Sequence, residues 1–211
     1  MNPNLEHLVY DFDSSHGVRN NINGISNDLG NAVLSTVYLA NARSLMNKKC
    51  DFDALFLTVK PDVIGITETW LEPDLTFAVP PDFSAFRCDR SSGRGGGVML
   101  VVSSSLAPGL VGSHRLDSTE VVHVSILEDT LLSLVYRPPS ASASNLIELC
   151  ENLRHYSSLF RHVYILGDFN LPISLQCWFY EPLRAPSPTM VQLVRRSMVE
   201  NLSVHFGFIQ F

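Results

Sequence analysis

The sequence predicts an α/β domain built on a mixed sheet, and three observations predict it. Short apolar runs rich in β-branched residues recur along the chain, at Val33–Ala40, Val63–Ile66, Val98–Val102 and His162–Leu166, the lengths of buried strands. Segments with helical spacing fall between some of them, clearest from Asn145 to Phe160. Two more runs, Val121–Leu127 and Leu131–Tyr136, are joined only by Glu128-Asp129-Thr130, a hairpin connection. Strands alternating with helices, plus at least one antiparallel pair, give a sheet of mixed sense.

Residues 1–31 are polar, rich in Asn, Asp, Ser and Gly, and without a sustained apolar period; they read as a flexible leader, with the domain expected over residues 32–211. The first strand runs out at Asn41-Ala42-Arg43-Ser44. Asp51 is expected to cap a short helix that carries Leu55 and Val59 on one face and closes at Pro61. The strand Val63–Ile66 ends at Thr67-Glu68-Thr69-Trp70, and the proline- and acid-containing stretch 71–84 reads as an irregular excursion. The glycine-rich segment Ser91–Gly97 precedes a strand rather than a helix, so a helix N-terminus cannot make it a phosphate cradle; a flexible hairpin is expected.

Arg137-Pro138-Pro139 stops the strand that ends at Tyr136. In the helix that follows, Leu146, Leu149, Cys150, Leu153 and Phe160 share a stripe, and Asn145 with Glu148 resembles a capping pair. The strand His162–Leu166 leads into Gly167-Asp168-Phe169-Asn170, and Pro172 bars its continuation. Alternation in extended chain sends Asp168 and Asn170 to one side and Phe169 to the other, into packing. From Met190 to Val204 a helical period returns through Val191, Val194, Met198 and Leu202, with Gly207 as its stop; Phe208–Phe211 reads as the opening of another strand.

Hydrophobic residues make up 45% of the 211 and charged residues 17%, the profile of a globular protein with a sizeable core. A net charge of −6 argues against a broad basic face for nucleic acid. It is compatible with a local acidic cleft in which a divalent cation bridges carboxylates and phosphate. Cys50, Cys88, Cys150 and Cys177 form no C-x-x-C pair, so no zinc or thiol-redox site is visible and buried free thiols in a reducing compartment are expected. With neither a signal pattern nor a bilayer-length apolar run, the expected location is intracellular, in nucleus or cytoplasm.

Asn41, Glu68 and Asp168 each sit just past an apolar strand, and Tyr136 ends another. Singly, each has an ordinary explanation as a turn, rim or solvated terminal residue. If their strands are neighbours, the side chains meet at one sheet edge, where α/β folds place ligand chemistry. Glu68 suits a direct ligand of Mg²⁺ (or Mn²⁺), and Asp168 a group that orients or deprotonates an attacking water. Asn41 and Asn170 can donate to phosphoryl oxygens or fix the other side chains, and the Tyr136 hydroxyl can reach the phosphate.

Four segments in this order resemble a known superfamily: Leu39–Ser44, Asp62–Trp70, Val135–Pro139 and Ile165–Asn170. They look like the endonuclease/exonuclease/phosphatase (DNase I-like) proteins. Their wording, with Arg94–Val98, is most similar to the endonuclease domain of LINE-type non-LTR retrotransposons, which precedes a reverse transcriptase. The resemblance covers about Val33 to Pro172. It implies a four-layered α/β sandwich of two packed mixed sheets and a Mg²⁺-dependent phosphodiester hydrolase that nicks DNA. By position, it implies that Glu68 and Asn41 serve the metal, Tyr136 the scissile phosphate, and Asp168 and Asn170 the water. The superfamily closes its site with a late Asp and a Ser-Asp-His segment. Nothing after Asn170 supplies Asp-His, and His205, on the expected helix, is not given that role. A C-terminally truncated domain of low activity is therefore expected. The alternatives are an inactive fragment of such a domain and a small-substrate phosphatase or diesterase of the same superfamily.

Overall fold

The computed structural model describes residues 8–11, 34, 36–90, 95–170, 190–197 and 205–210. The chain forms two sheets, and it completes the first before starting the second. The first contains β1 (Leu8–Asp11), β2 (Thr36–Asn41), β3 (Val63–Thr67), β4 (Phe83–Cys88) and β5 (Val98–Ser103), in the order β1-β2-β3-β5-β4. The second contains β6 (Gly109–Leu116), β7 (Thr119–Ile126), β8 (Thr130–Tyr136), β9 (His162–Asp168), β10 (Met190–Ser197) and β11 (His205–Gln210), in the order β11-β10-β9-β8-β7-β6. Both are mixed: β2 and β3 run parallel, as do β8 and β9, while the other pairings are antiparallel. Helix α1 (Lys49–Thr58) connects β2 to β3, and α2 (Ala143–Ser157) connects β8 to β9.

Strand alternation sorts the apolar residues into three cores. Val37, Leu39, Val63, Leu100 and Val102 of the first sheet meet Val122, Val124, Leu132, Leu134 and Leu166 of the second. The opposite face of the first sheet, with Tyr38, Ile64, Ile66, Met99 and Val101, packs on Phe52 of α1. That of the second, with Val121, Val135 and Phe169, packs on Leu149 of α2. Helix, sheet, sheet, helix is the expected four-layered sandwich. Fully buried apolar faces on both sides explain the near-continuous hydrophobic runs of β5 and β8.

Several expectations are corrected. The segment expected as a helix from Met190 is a strand, β10, paired antiparallel with β9, and Gly207 lies inside β11 opposite Leu193 instead of stopping a helix. His205 likewise begins a strand. The open edge of β9 offers backbone pairing, and such tertiary pairing overrides a weak local period. The expected leader contains β1, which hydrogen-bonds along the edge of β2. Asp51 lies in the first turn of α1, whose cap position is Lys48. Ser142, not Asn145, caps α2; its hydroxyl accepts from the Asn145 N–H. Asn145 is instead buried, accepting from Thr119 Oγ1 and donating to the Leu116 carbonyl. Cys88 is buried as expected, but Cys50 and Cys150 are exposed; Cys177 lies outside the described residues. Strands β4 and β6 were not foreseen.

Candidate active site

Backbone register fixes one half of the site. Asp168 on β9 lies opposite Tyr136 on β8, and Tyr136 opposite Glu120 on β7. Residues paired across neighbouring strands project to the same face, so these three form a row. Odd-numbered neighbours of this row turn outward: Phe169 packs beneath α2, as expected from alternation. Gly167 lets Asp168 take its place. Its φ is +142°, and a Cβ there would lie 2.0 Å from the Val135 carbonyl oxygen, so only glycine lets β9 approach β8 at this step.

The first sheet supplies the other half. Asn41 and Thr67 are register partners at the ends of β2 and β3. Continued alternation would send Glu68 toward α1. Its left-handed backbone, φ 50°, breaks the alternation, and its carboxylate meets the second sheet instead. Asn41 Nδ2 donates to Glu68 Oε1 at 3.2 Å and to Asp168 Oδ2 at 3.3 Å, bridging both carboxylates across the sandwich. Tyr136 donates its hydroxyl to Glu68 Oε1 at 3.0 Å, and Trp70 Nε1 donates to Glu68 Oε2 at 3.2 Å. Asn41, Glu68, Tyr136 and Asp168 thus form one hydrogen-bonded cluster. Asn170, also left-handed with φ 41°, donates from Nδ2 to the Arg137 carbonyl at 2.9 Å.

Burial dominates the electrostatics. Asp168 is 1% exposed, and desolvation pushes its carboxyl up to about 6, against the hydrogen bond from Asn41 and with help from the Glu68 charge. Burial raises the Tyr136 phenol well above its ordinary value, and the Glu68 charge adds to it, so the hydroxyl stays protonated as a donor.

A model described as the Endonuclease/Exonuclease/phosphatase family matches residues 21–187. The chain belongs to this family. It is similar to a solved 3' phosphatase, NExo, from Neisseria, bound to a product DNA hairpin, at 17% identity and TM-score 0.48, over 64% of this chain and 57% of that one. It is similar to the human Nocturnin catalytic domain with a bound sulfate, at 15% identity and TM-score 0.41, over 60% and 58%. An AP endonuclease from Archaeoglobus fulgidus matches at 14% identity and TM-score 0.41, over 63% and 56%. The match therefore spans less than two thirds of each of these structures. No curated protein matches the sequence.

Whether the residues of this family member suit a divalent cation is decided by its unpaired oxygens. Asn41 Oδ1 and Asp168 Oδ1 are buried with no hydrogen-bond partner, a costly arrangement for oxygens that a hard cation or its waters would satisfy. No group of three or more His, Cys, Asp or Glu is placed to share an ion among the described residues. Magnesium does not require one; it takes one or two carboxylates and keeps its waters. Glu68 and the Asn41 amide oxygen fit that pattern, with Asp168 beside them to hold one of the waters.

Three contributors were not foreseen from the sequence. Trp70 braces Glu68. Glu120, 3% exposed, extends the Asp168–Tyr136 row and accepts from Arg90 Nε at 2.8 Å. Arg137, read only as a strand stop, is buried and ties two loops together. Its Nη1 donates to the carbonyls of Phe169 and Asn170, and its Nη2 to those of Ala141 and Ser142. A signal for Glu120 was present: the hairpin is symmetric about Glu128, which puts residue 120 opposite Tyr136.

Proposed function

We propose that this protein is a Mg²⁺-dependent phosphodiester hydrolase, a DNA-nicking endonuclease domain of the LINE retrotransposon type. One observation carries the hydrolase reading: two carboxylates from different sheets, bridged by Asn41, with unpaired buried oxygens beside them. The wording of the four sequence segments supports DNA as substrate and the retrotransposon context.

In this reading, Glu68 and the Asn41 amide oxygen hold the cation, which when bound supplies positive charge to the phosphoryl oxygens. Asp168 accepts a proton from water as the water oxygen bonds to phosphorus and the ester P–O bond breaks. A carboxyl raised to about 6 is a stronger base than an ordinary aspartate and still ionised at neutral pH. Tyr136, kept protonated, donates to a phosphoryl oxygen, and Asn170 holds Asp168 in place.

The test is nicking of supercoiled plasmid with Mg²⁺, beside chelator, Asp168→Ala and Glu68→Ala, with a small phosphomonoester assayed in parallel. The decisive quantity is dependence on these groups, not absolute rate. Asp168→Ala is expected to lose about 100- to 1,000-fold. Nicking that persists in chelator and in Asp168→Ala overturns the reading, and turnover of the monoester alone moves the substrate class to small phosphates.

A further inference from the structure

Arg90 stands just past β4, and its guanidinium is gripped from one side only. Nε donates to Glu120 Oε1 at 2.8 Å and Nη2 to the Ser118 carbonyl at 3.3 Å. Nη1 makes no hydrogen bond to another described residue. The carboxylate that grips it is the third member of the Asp168–Tyr136–Glu120 row. Glu120 is itself buried, and its second carboxylate oxygen, Oε2, makes no hydrogen bond, so Arg90 is the only side chain seen to partner it among the described residues.

The glycines make the room. Gly96 has φ +72°, and a Cβ on it would lie 2.5 Å from Arg90 Nε. A Cβ on Gly95 would lie 3.9 Å from Arg90 Nη1 and 3.8 Å from Trp70 Nε1, so the guanidinium and the indole that braces Glu68 flank the same bare backbone. A purely structural pin would turn all its donors inward. Here the fork is half used, and the Glu68 charge is felt at Arg90.

We propose that Arg90 is a phosphate-binding residue for a nucleic-acid strand lying across Gly95–Gly97, and that Glu120 is the positioning residue that aims it. The inference rests on the phosphodiester-hydrolase reading and narrows its substrate. Two carboxylates repel a polyanion, so a strand needs a fixed cation close by. The row places Glu120 two strand spacings, about 9–10 Å, from Asp168, which suits a phosphate beside the scissile one. A substrate with a single phosphate gains nothing from such a residue.

The test is binding of a short fluorescein-labelled single-stranded DNA, followed by anisotropy in Mg²⁺, on an Asp168→Asn parent that cannot cleave it. Arg90→Ala is expected to weaken binding about tenfold or more, and Arg90→Lys to restore only part, because an ammonium lacks the guanidinium fork. Glu120→Gln keeps an acceptor for Nε and most of the affinity, whereas Glu120→Ala loses what Arg90→Ala loses. The exposed Arg154→Ala serves as the control for lost charge. Because Arg90→Ala leaves a buried carboxylate unpaired, the double variant Arg90→Ala/Glu120→Ala is measured too, with circular dichroism for folding. Folded variants that bind as tightly as the parent, or a parent that does not bind, overturn the proposal. Plasmid nicking that survives Arg90→Ala with unchanged KM removes this subsite and leaves the hydrolase reading intact. DNA bound through Arg90 but never cut does the reverse.

Discussion

Asp168 is held in a place that suits chemistry better than folding. Its carboxyl is raised from an ordinary 3.8 to about 6 because burial penalises the charge. A raised folded-state value means that the fold favours the neutral carboxyl. That contribution is complete below about pH 4 and is lost as pH rises through about 6, so at neutral pH the ionised side chain costs stability. Asp168→Asn in metal-free buffer at pH 7 is expected to raise stability by about 1–3 kcal/mol while abolishing any nicking, as urea denaturation and the plasmid assay would show. An unchanged midpoint would mean that the buried charge is already compensated. The residue itself was legible in the sequence, since alternation across Asp168, Phe169 and Asn170 is local. Glu68 was legible as a strand-end carboxylate, but not the left-handed turn that brings it to the site. Nor was the Arg90–Glu120 pair, because its partners are 30 positions apart and on different sheets.

At the scale of elements, the close approach of β9 to β8 depends on Gly167. Gly167→Ala places a methyl against the Val135 carbonyl and forces a residue with a side chain into φ +142°. A loss of about 3 kcal/mol or more is expected, read by thermal denaturation, with activity falling further because Asp168 is the next residue. The packing of α2 on the second sheet carries a pH dependence of its own. His123 on β7 is fully buried, with Nδ1 against Ser133 Oγ and Nε2 against Asn152 Oδ1 of α2, and its ring stacks on Tyr156 at 4.1 Å. Burial lowers it to about 4, with His114 and His155 adding repulsion. A depressed histidine favours the neutral ring, so its stabilisation is whole above about pH 6.5 and drains away as pH falls toward 4. Wild type is expected to lose about 3 kcal/mol more than His123→Gln between pH 7 and pH 4, by urea denaturation; parallel acid limbs would count against it. Elements whose burial pattern is one-sided or complete were readable, α2 and β7 among them. The strand β10 was not, because its pairing with β9 is a long-range contact that no local spacing encodes.

For the whole molecule, the layered sandwich follows from the order of apolar runs, and the net charge of −6 constrains how it meets a polyanion. Contact with DNA must be local, through a few cations and the bridging metal. The logarithm of the binding constant should therefore fall gently with that of salt, with a slope smaller in magnitude than about 3 for single strands; a steeper slope would reveal a basic surface outside the site. The two sheets are also consecutive in the chain, with only Ser104–Pro108 between the last strand of one and the first of the other. Asn41, Glu68, Trp70 and Arg90 precede that connection, while Glu120, Tyr136 and Asp168 follow it. Severed there, the polypeptide becomes two pieces, each carrying one half of the chemistry and an uncovered apolar face that fits the other. Turnover would then announce that two separate polypeptides had met, which makes this connection the natural seam for a split reporter.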